Sequence, residues 1–294
     1  MGAVLAYRLI DAGHEVAVWN RSPAPAAPLA DAGALVADSP AELVGSVEAV
    51  VVLVSDDTAV RRVWLAEDGL LAGPVAGRLL IESSTIRVDA VREVAARAVA
   101  AGAAVVDAPV SGTVGPARAG QLLGLAGGSA DDVARARSVL AIWCRRVVHL
   151  GPLGCGMASK LALNMAMASM WAALGESYAL VGAHGVARAD FTDVLVDSPL
   201  AGPAVLAKAA LLRSDTVPND GVPGFDVAGV RKDLVAIVAT AVGAGVPAAV
   251  AAAALAQFSA AVNAGRGAAD LVAIADVLTA ATYPVLPVDP SPQV

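Results

Sequence analysis

Short β-rich runs alternate with helical stretches through the first half of the chain, and this alternation constrains the fold more than any other feature. The runs are "HEVAVWN", "EAVVVLV", "RLLIES" and "AAVVDAPV", followed by "QLLGLAGG" and "RRVVHLG". Helical patterns lie between them, in "SPAELVGS", "DDTAVRRVWLA" and "RVDAVREVAARAVAAG". Strands that alternate with helices build βαβ units on a mostly parallel sheet. The sequence therefore predicts a doubly wound α/β domain.

The alternation of strand and helix patterns ends at about Met157. The segment "MASKLALNMAMASMWAALGESYALVGAHGV" reads as one long helix, and the helical stretches after it contain no convincing strand. Three glycines, Gly151, Gly154 and Gly156, mark the change. We predict an α/β domain over residues 1–153, an all-α substrate and dimerisation domain over 154–286 that is entered through the long helix, and a Pro-rich tail over 287–294.

The apolar composition raises the question of a membrane segment. Hydrophobic residues make up 57% of the chain, and the mean hydropathy is +0.68. The uncharged run from Leu234 to Phe258 is long enough to span a bilayer. However, Gly243 and Gly245 suit a helix C-terminus, and Pro247 suits the first turn of a following helix. We therefore expect two buried, antiparallel helices here and no membrane partner.

Charge, histidine spacing and cysteine content argue against several other classes. The net charge is −7 and the pI about 4.9, with no cluster of Lys and Arg that would indicate a nucleic-acid partner. No signal peptide is visible, and the two cysteines favour reduced thiols in the cytoplasm. The three histidines lack metal-ligand spacing, so we predict no metal site. These residues are Cys144, Cys155, His14, His149 and His184.

The opening stretch "AGHEVAVWNRS" fits the second strand of a Rossmann-type dinucleotide-binding domain. The helix before it is "AVLAYRLIDAG", so Gly2 would end the Gly-rich turn that holds the pyrophosphate. We expect roughly 10 further residues before Met1, enough for the first strand and that turn, or else poor cofactor binding by this form. Asn20, Arg21 and Ser22 carry no carboxylate, and a guanidinium there suits a 2′-phosphate, which favours NADP over NAD.

Two later motifs carry candidate chemistry. Ser111, Gly112 and Thr113 form a short loop, rich in N–H and hydroxyl donors, that could hold a carboxylate or could be a plain turn. Lys160 and Asn164 stand four residues apart and therefore share one face of the long helix. A desolvated lysine can exchange a proton near neutral pH, whereas a lysine at a first helical turn can also simply extend to solvent.

These motifs occur together and in order with "ESSTI" and "GFDVAGVRKDL", and the combination resembles the β-hydroxyacid dehydrogenase family over essentially the whole chain. The resemblance implies an NAD(P)-dependent oxidoreductase that moves a hydride between the cofactor and a small hydroxy or oxo carboxylic acid. It implies Lys160 as general acid/base and Asn164 as the residue that orients the substrate. The Ser111–Thr113 loop would bind the substrate carboxylate. The cofactor-binding residues that we predict are Gly2, Asn20, Arg21, Ser22, Leu53, Val54, Thr85 and Lys232.

The chain departs from the pattern of this family at two further positions. Thr113 stands where a second glycine is usual, and Leu163 stands where a first asparagine of the long helix is often found. A Cβ and hydroxyl at Thr113 would reshape the carboxylate loop. Two alternatives therefore stay open: an imine or other carbonyl reductase on the same scaffold, or a non-catalytic dimeric binding module. We expect a homodimer or homotetramer through the apolar helical half.

Overall fold

The computed structural model describes residues 1–220 and 223–280, so the predicted tail over 287–294 lies outside the described residues. The chain divides into two units. The first unit contains Met1–Leu163 together with Ala239–Val246. The second contains Asn164–Val238 and the chain from Pro247 onward. The candidate residues therefore fall into two groups, one in an α/β unit and one in a helical unit.

The α/β unit alternates strands and helices as the sequence predicts. Its strands are β1 (Ala17–Val18), β2 (Leu35–Val36), β3 (Ala49–Val52), β4 (Leu79–Glu82), β5 (Ala104–Asp107), β6 (Val110–Ser111), β7 (Leu122–Ala126) and β8 (Cys144–His149). Its helices are α1 (Gly2–Asp11), α2 (Ala27–Asp31), α3 (Pro40–Ser46), α4 (Asp57–Leu65), α5 (Val88–Ala100), α6 (Val114–Arg118) and α7 (Ala130–Leu140). The order confirms the predicted doubly wound α/β class.

The strands of this unit pair in three hydrogen-bonded groups. Strands β3, β4 and β5 are parallel neighbours, β1 pairs with β2 in parallel, and β7 pairs with β8 in parallel. Strand β6 is antiparallel to β7. The mostly parallel pairing agrees with the prediction. Strand β2 was not predicted, because it has only two residues and both are exposed, so it lacks the apolar run that identifies a buried strand.

Apolar side chains are buried on both faces of the β3–β5 sheet. Leu80 and Ile81 of β4 and Val106 of β5 have no exposed surface. Such near-continuous apolar strands are typical of parallel sheets covered by helices. Helix α4 begins where Asp56 Oδ1 accepts a hydrogen bond of 2.9 Å from the Ala59 N–H, an N-cap that satisfies a first-turn donor. The sheet therefore presents fixed carboxyl ends from which loops emerge.

Helix α8 has 29 residues and spans Cys155–Ala183. The helical unit begins within it, at Asn164. The later helices are α9 (Arg188–Asp197), α10 (Pro203–Leu206), α11 (Ala209–Arg213), α12 (Val227–Gly243), α13 (Ala249–Ala261) and α14 (Ile274–Ala280), with a π-helical turn at Val262–Arg266. Within this unit, the described residues contain an isolated bridge between Asp226 and Asp270 but no strand. The predicted all-helical character is thus confirmed for the described part.

The long uncharged run is broken where the sequence predicts. Helix α12 ends at Gly243, and Gly245 has a φ of +68°, a conformation that favours glycine. The predicted burial holds for only part of each helix: Leu234 and Phe258 are buried, whereas Val242 and Val250 are 72% and 70% exposed. Within residues 1–220 and 223–280, no helix combines the length and apolar character that a membrane span requires.

Candidate active site

The carboxyl ends of β3, β4 and β5 bring several predicted residues to one edge of the sheet. The three strands are parallel and in register from Ala49 and Leu79 onward, so their ends meet at the same edge. Leu53 and Val54 follow β3 directly, and the Val54 N–H donates a 2.9 Å hydrogen bond to Ser84 Oγ beyond β4. Thr85 comes next in that loop and is half-buried. This edge is where dinucleotides bind in doubly wound sheets.

Helix α1 begins beside this edge. A Cβ at Gly2 would lie 3.9 Å from the Leu53 carbonyl oxygen, so the helix N-terminus stands near the end of β3. In the part of the chain that the structure describes, no side chain caps the helix start at Met1. An uncapped helix N-terminus offers N–H groups and a positive potential to an anion such as a pyrophosphate. Gly2 therefore fits a cofactor phosphate in its local geometry.

The segment after β1 presents three exposed polar residues. Asn20 Nδ2 donates a 2.8 Å hydrogen bond to the Ser22 carbonyl oxygen, which shapes the turn. Arg21 lies between them and is exposed, and it makes no ion pair with another described residue. An exposed guanidinium flanked by short polar side chains fits a phosphate monoester. The donor set at this turn is thus compatible with a 2′-phosphate.

Asp107 anchors the start of α8, a role that sequence reasoning missed. Its Oδ1 accepts from the Gly154 N–H at 2.7 Å, and its Oδ2 accepts from the Met157 N–H at 2.6 Å. Burial raises the pKa of this carboxyl to about 6, while these two hydrogen bonds oppose the rise. The only sequence signal was a carboxyl at a strand end followed, after a long separation, by a glycine-led helix.

Two glycines make this anchor possible because the backbones approach too closely for a Cβ. At Gly156, a Cβ would lie 2.2 Å from the Leu125 carbonyl oxygen and 2.8 Å from that of Asp107. At Gly127, it would lie 2.3 Å from Asp107 Oδ1. Gly156, from the cluster that marks the predicted domain change, and Gly127 therefore allow close packing of α8 against the ends of β5 and β7.

Glu82 is a second buried carboxyl at the strand ends and was also missed. It lies opposite Asp107 in the β4–β5 register and has no exposed surface. Its Oε2 accepts a 2.9 Å hydrogen bond from Trp64 Nε1, and its Oε1 accepts a 2.8 Å hydrogen bond from the Ser84 N–H. Burial raises the pKa of Glu82 to about 7, against the effect of these donors. The carboxyl thereby holds the loop that carries Ser84 and Thr85.

The predicted carboxylate loop follows β6. Gly112 has a φ of +129°, and a Cβ there would lie 2.5 Å from Leu122 Cδ2, so this position favours glycine for two reasons. Ser111 is half-buried, and Thr113 is exposed at the start of α6. Among the described residues, Thr113 makes no side-chain cap to that helix. The Thr113 hydroxyl therefore stands at the surface of the loop, where it can meet a ligand.

Lys160 and Asn164 lie one turn apart on α8. At 1.5 Å per residue, the two positions are about 6 Å apart along the axis and share a face. Lys160 is half-buried in the first part of the helix. Asn164 is 7% exposed, and its Nδ2 donates a 2.6 Å hydrogen bond to Asp233 Oδ2. The helix therefore presents a cationic and an amide group in sequence along one stripe.

Within the helical unit, Asp233 joins two predicted residues. Its Oδ1 lies 2.7 Å from Lys232 Nζ, and its Oδ2 accepts from Asn164. Asp233 itself is 4% exposed and was not assigned a role from the sequence. A buried carboxylate that accepts from an amide fixes which end of that amide faces outward. Asn164 and Lys232 are thus brought together here, whereas the other predicted residues belong to the α/β unit.

Comparisons with known proteins match both parts of the chain. Residues 1–151 match the NAD binding domain of 6-phosphogluconate dehydrogenase, and residues 154–278 match the NAD-binding domain of NADP-dependent 3-hydroxyisobutyrate dehydrogenase. A 3-hydroxyisobutyrate dehydrogenase of Pseudomonas aeruginosa is 38% identical over 67% of this chain and 66% of its own length. A probable 3-hydroxyisobutyrate dehydrogenase of Mycobacterium tuberculosis is 33% identical over 80% of each chain.

A solved structure shows the same fold over nearly the full length. The 3-hydroxyisobutyrate dehydrogenase of Mycobacterium tuberculosis, described with L-serine, has a TM-score of 0.82 and 30% identity over 96% of each chain. The family models and these relatives match both units in order. The chain therefore belongs to the β-hydroxyacid dehydrogenase family and is an NAD(P)-dependent oxidoreductase that acts on hydroxy acids.

Proposed function

We propose that this chain is an NADP-dependent dehydrogenase of a small hydroxy carboxylic acid, with Lys160 as general acid/base. The observation that carries the proposal is the local geometry of α8. Asp107 fixes the start of this helix at the strand ends, and Lys160 and Asn164 follow on one face. A lysine held on an anchored helix keeps a defined position, as proton transfer requires.

The bound nicotinamide cofactor would supply the hydride acceptor for the carbinol carbon, or the hydride donor for the carbonyl carbon. In the oxidation direction, Lys160 Nζ takes the hydroxyl proton, and in the reduction direction it returns that proton to the oxygen. Asn164 orients the reacting oxygen through its amide, which Asp233 holds in place. Ser111, Gly112 and Thr113 bind the substrate carboxylate through N–H and hydroxyl donors.

We assign Gly2 to the pyrophosphate, Leu53, Val54 and Thr85 to the strand-end edge, and Lys232 to the nicotinamide end. Asn20, Arg21 and Ser22 would bind the 2′-phosphate, which is the reason for preferring NADP. The exposed guanidinium of Arg21 supports this preference.

The proposal also includes the oligomeric state and the location of the protein. We infer a homodimer or homotetramer through the helical unit, which exposes apolar side chains such as Leu180 and Val194 at 63% and 65%. Two free cysteines, Cys144 and Cys155, support a cytoplasmic location. The domain division proposed from the sequence, at residues 153 and 154, falls between the two family matches.

Replacing Lys160 tests the reaction directly. We expect Lys160→Ala to lower kcat by about a hundredfold or more, because general acid/base groups contribute on that scale. Lys160→Arg is the matched variant, since it keeps the positive charge but does not release a proton near neutral pH. The readout is NADPH formation with 3-hydroxyisobutyrate, L-serine and related small hydroxy acids, beside a fluorescence titration with NADPH and NADH.

Both variants should bind NADPH as the unaltered protein does and should lose turnover together. Full turnover by Lys160→Ala would overturn the assignment. Turnover by Lys160→Arg alone would reduce Lys160 to a fixed charge. Binding of neither NADPH nor NADH by the unaltered protein would favour a non-catalytic module instead.

A second candidate is the reduction of an imine or another carbonyl on the same scaffold. The exposed Thr113 favours it, because this side chain alters a loop that would otherwise hold a carboxylate. NADPH consumption with a ketone and an amine, and none with hydroxy or oxo acids, would select this candidate.

A further inference from the structure

An open pocket of about 800 Å³ lies within the helical unit. Tyr178 and Gly182 of α8 line it, together with residues from the start of α9, the π-helical turn and α14. At 1.5 Å per residue, Tyr178 is about 21 Å along α8 from Asn164. The pocket is therefore separate from the candidate active-site residues of this unit.

The polar part of the pocket contains two arginines and one aspartate. Arg188 Nη1 donates to Asp276 Oδ1 at 2.5 Å, and Arg266 Nη2 donates to Asp276 Oδ2 at 2.7 Å. Asp276 Oδ2 also accepts from the Val217 N–H at 2.9 Å. The three charged side chains are only 12% to 19% exposed. One carboxylate thus faces two largely buried guanidinium groups, so these three side chains carry one net positive charge.

The two guanidinium groups also have unused donors. Arg188 donates from Nε to the Leu212 carbonyl oxygen at 2.8 Å, but its Nη2 has no hydrogen-bond partner among the described residues. Arg266 donates to the Val217 carbonyl oxygen, but its Nε has no partner in the same part of the chain. Buried donors without acceptors are costly and uncommon. Both arginines line the pocket, so an anion there would offset this cost through its negative charge.

Neighbouring groups hold Arg188 in place for such a contact. Its guanidinium carbon lies 5.3 Å from the centroid of the Tyr178 ring, a cation–π distance. Tyr178 is fixed in turn by a 2.7 Å hydrogen bond with Thr192 Oγ1. The side chain is therefore ordered before any ligand binds, which lowers the entropic cost of binding.

The remaining lining limits the class of anion. Apart from the arginines, half of the lining residues have small or apolar side chains, and two threonines add hydroxyl groups. The small and apolar residues are Gly182, Val186, Ala264, Val277 and Ala280, and the threonines are Thr216 and Thr279. The exposed carboxyl of Asp215 lies at the lining as well, and together with Asp276 it opposes a dianion such as phosphate. A ligand with one negative charge and an apolar body fits better than a dianion, because Asp215 lies in solvent whereas the three largely buried side chains carry one net positive charge.

We propose that this pocket is a second ligand site, which binds an organic monocarboxylate with a short apolar chain. The carboxylate pairs with Arg188 and Arg266, and the chain lies against the apolar lining around Gly182. The site requires no cofactor and no hydride transfer, so a test of binding there does not depend on the proposed reaction.

Calorimetric titration of the full chain with hexanoate tests this site, with hexanamide as the uncharged isostere. Hexanoate should bind, and hexanamide should bind at least about tenfold more weakly, because charge-assisted hydrogen bonds are lost. Ser111→Ala is the control for the carboxylate loop of the α/β unit and should keep the hexanoate affinity.

Two variants locate the binding. Arg188→Lys keeps the cation beside Asp276 but removes the fork of donors, and it should weaken hexanoate binding at least about tenfold. Gly182→Leu fills the apolar part without changing charge, and it should weaken binding as much. Among the described residues, a Cβ at this position meets only Thr279 Cγ2, at an ordinary 3.6 Å. Far-UV circular dichroism checks that each variant folds.

The outcomes are distinct. Weakening by both variants, with Ser111→Ala unchanged, supports the proposal. No hexanoate binding, equal binding of hexanamide, or an affinity that only Ser111→Ala reduces would overturn it. If Arg188→Lys does not fold, Gly182→Leu and the hexanamide comparison decide, and unchanged hexanoate binding by Gly182→Leu overturns the proposal.

Discussion

The two units of the chain bury carboxyl groups with different partners. In the α/β unit, Glu82 and Asp107 accept hydrogen bonds from uncharged donors. Glu82 accepts from the Trp64 indole and the Ser84 N–H, and Asp107 accepts from two main-chain N–H groups at the start of α8. Burial raises the pKa values of these carboxyls to about 7 and about 6. Their protonation therefore changes within the physiological pH range.

In the helical unit, buried carboxylates face cations instead. Asp276 contacts Arg188 and Arg266, and Asp233 contacts Lys232. A cation compensates the negative charge directly, whereas neutral donors only offset the loss of hydration in part. The α/β unit thus ties its strand ends together with groups that respond to pH. The helical unit joins its elements through ion pairs, so the removal of one partner leaves the other charge buried and uncompensated.

The largest effect is expected where two cations share one carboxylate. Asp276→Ala should lower the free energy of unfolding by about 4 kcal/mol, because it leaves two largely buried guanidinium groups uncompensated. Asp193→Ala is the matched control: its carboxyl is 63% exposed and pairs with Arg213 at the surface. That control should cost less than about 1 kcal/mol.

Urea unfolding followed by circular dichroism measures both variants. Equal, small losses for Asp276→Ala and Asp193→Ala would contradict this prediction, because the ion pairs of the helical unit would then be no stronger than surface pairs. A large loss for Asp276→Ala alone supports it.

A smaller loss is expected at the anchor of α8. Asp107→Ala removes the acceptor for the Gly154 and Met157 N–H groups and should cost about 3 kcal/mol, since buried donors without acceptors cost about 1–3 kcal/mol each. Asp107→Asn retains one acceptor oxygen and should lose roughly half as much. Urea unfolding measures these losses, and activity should fall with them, because Lys160 follows on the same helix.

Equal stability of Asp107→Ala and the unaltered protein would show that the helix start does not depend on this carboxyl. A loss for Asp107→Asn as large as that for Asp107→Ala would instead assign the effect to the negative charge.

The sequence predicts the elements of both units well because their signals are local. The apolar runs of β3, β4 and β5, the length of α8 and the break between Gly243 and Pro247 each depend on a few neighbouring residues. Periodicity and breaker residues report such features directly. The motif residues Lys160, Asn164 and Ser111 could be placed on their elements for the same reason.

The partners of buried charges could not be predicted, because they are distant in the chain. Asp107 and Gly154 are 47 residues apart, and Arg188 and Asp276 are 88 apart. No local pattern records such contacts, and a carboxyl at a strand end looks the same whether it is exposed or buried. The close approach at Gly156 was hidden likewise, since a glycine before a helix also suits an ordinary turn.

The smallest expected effect is a change in pH dependence at Glu82. Its pKa is raised from 4.5 to about 7 by burial, so the folded state holds the proton more tightly than the unfolded chain. The free energy of unfolding therefore falls as the pH rises between these values and is level above them. Glu82→Gln should remove about 2 kcal/mol of the fall between about pH 5 and about pH 7.

Urea unfolding at several pH values measures this slope, and only the slope is compared, because glutamine also loses one acceptor toward Trp64 or Ser84. A residual fall should persist in Glu82→Gln, since Asp107, with its pKa raised to about 6, loses its proton over the same range. If the slope of Glu82→Gln equals that of the unaltered protein, Glu82 is ionised throughout. The contrast between neutral donors in one unit and cations in the other then has no consequence for pH.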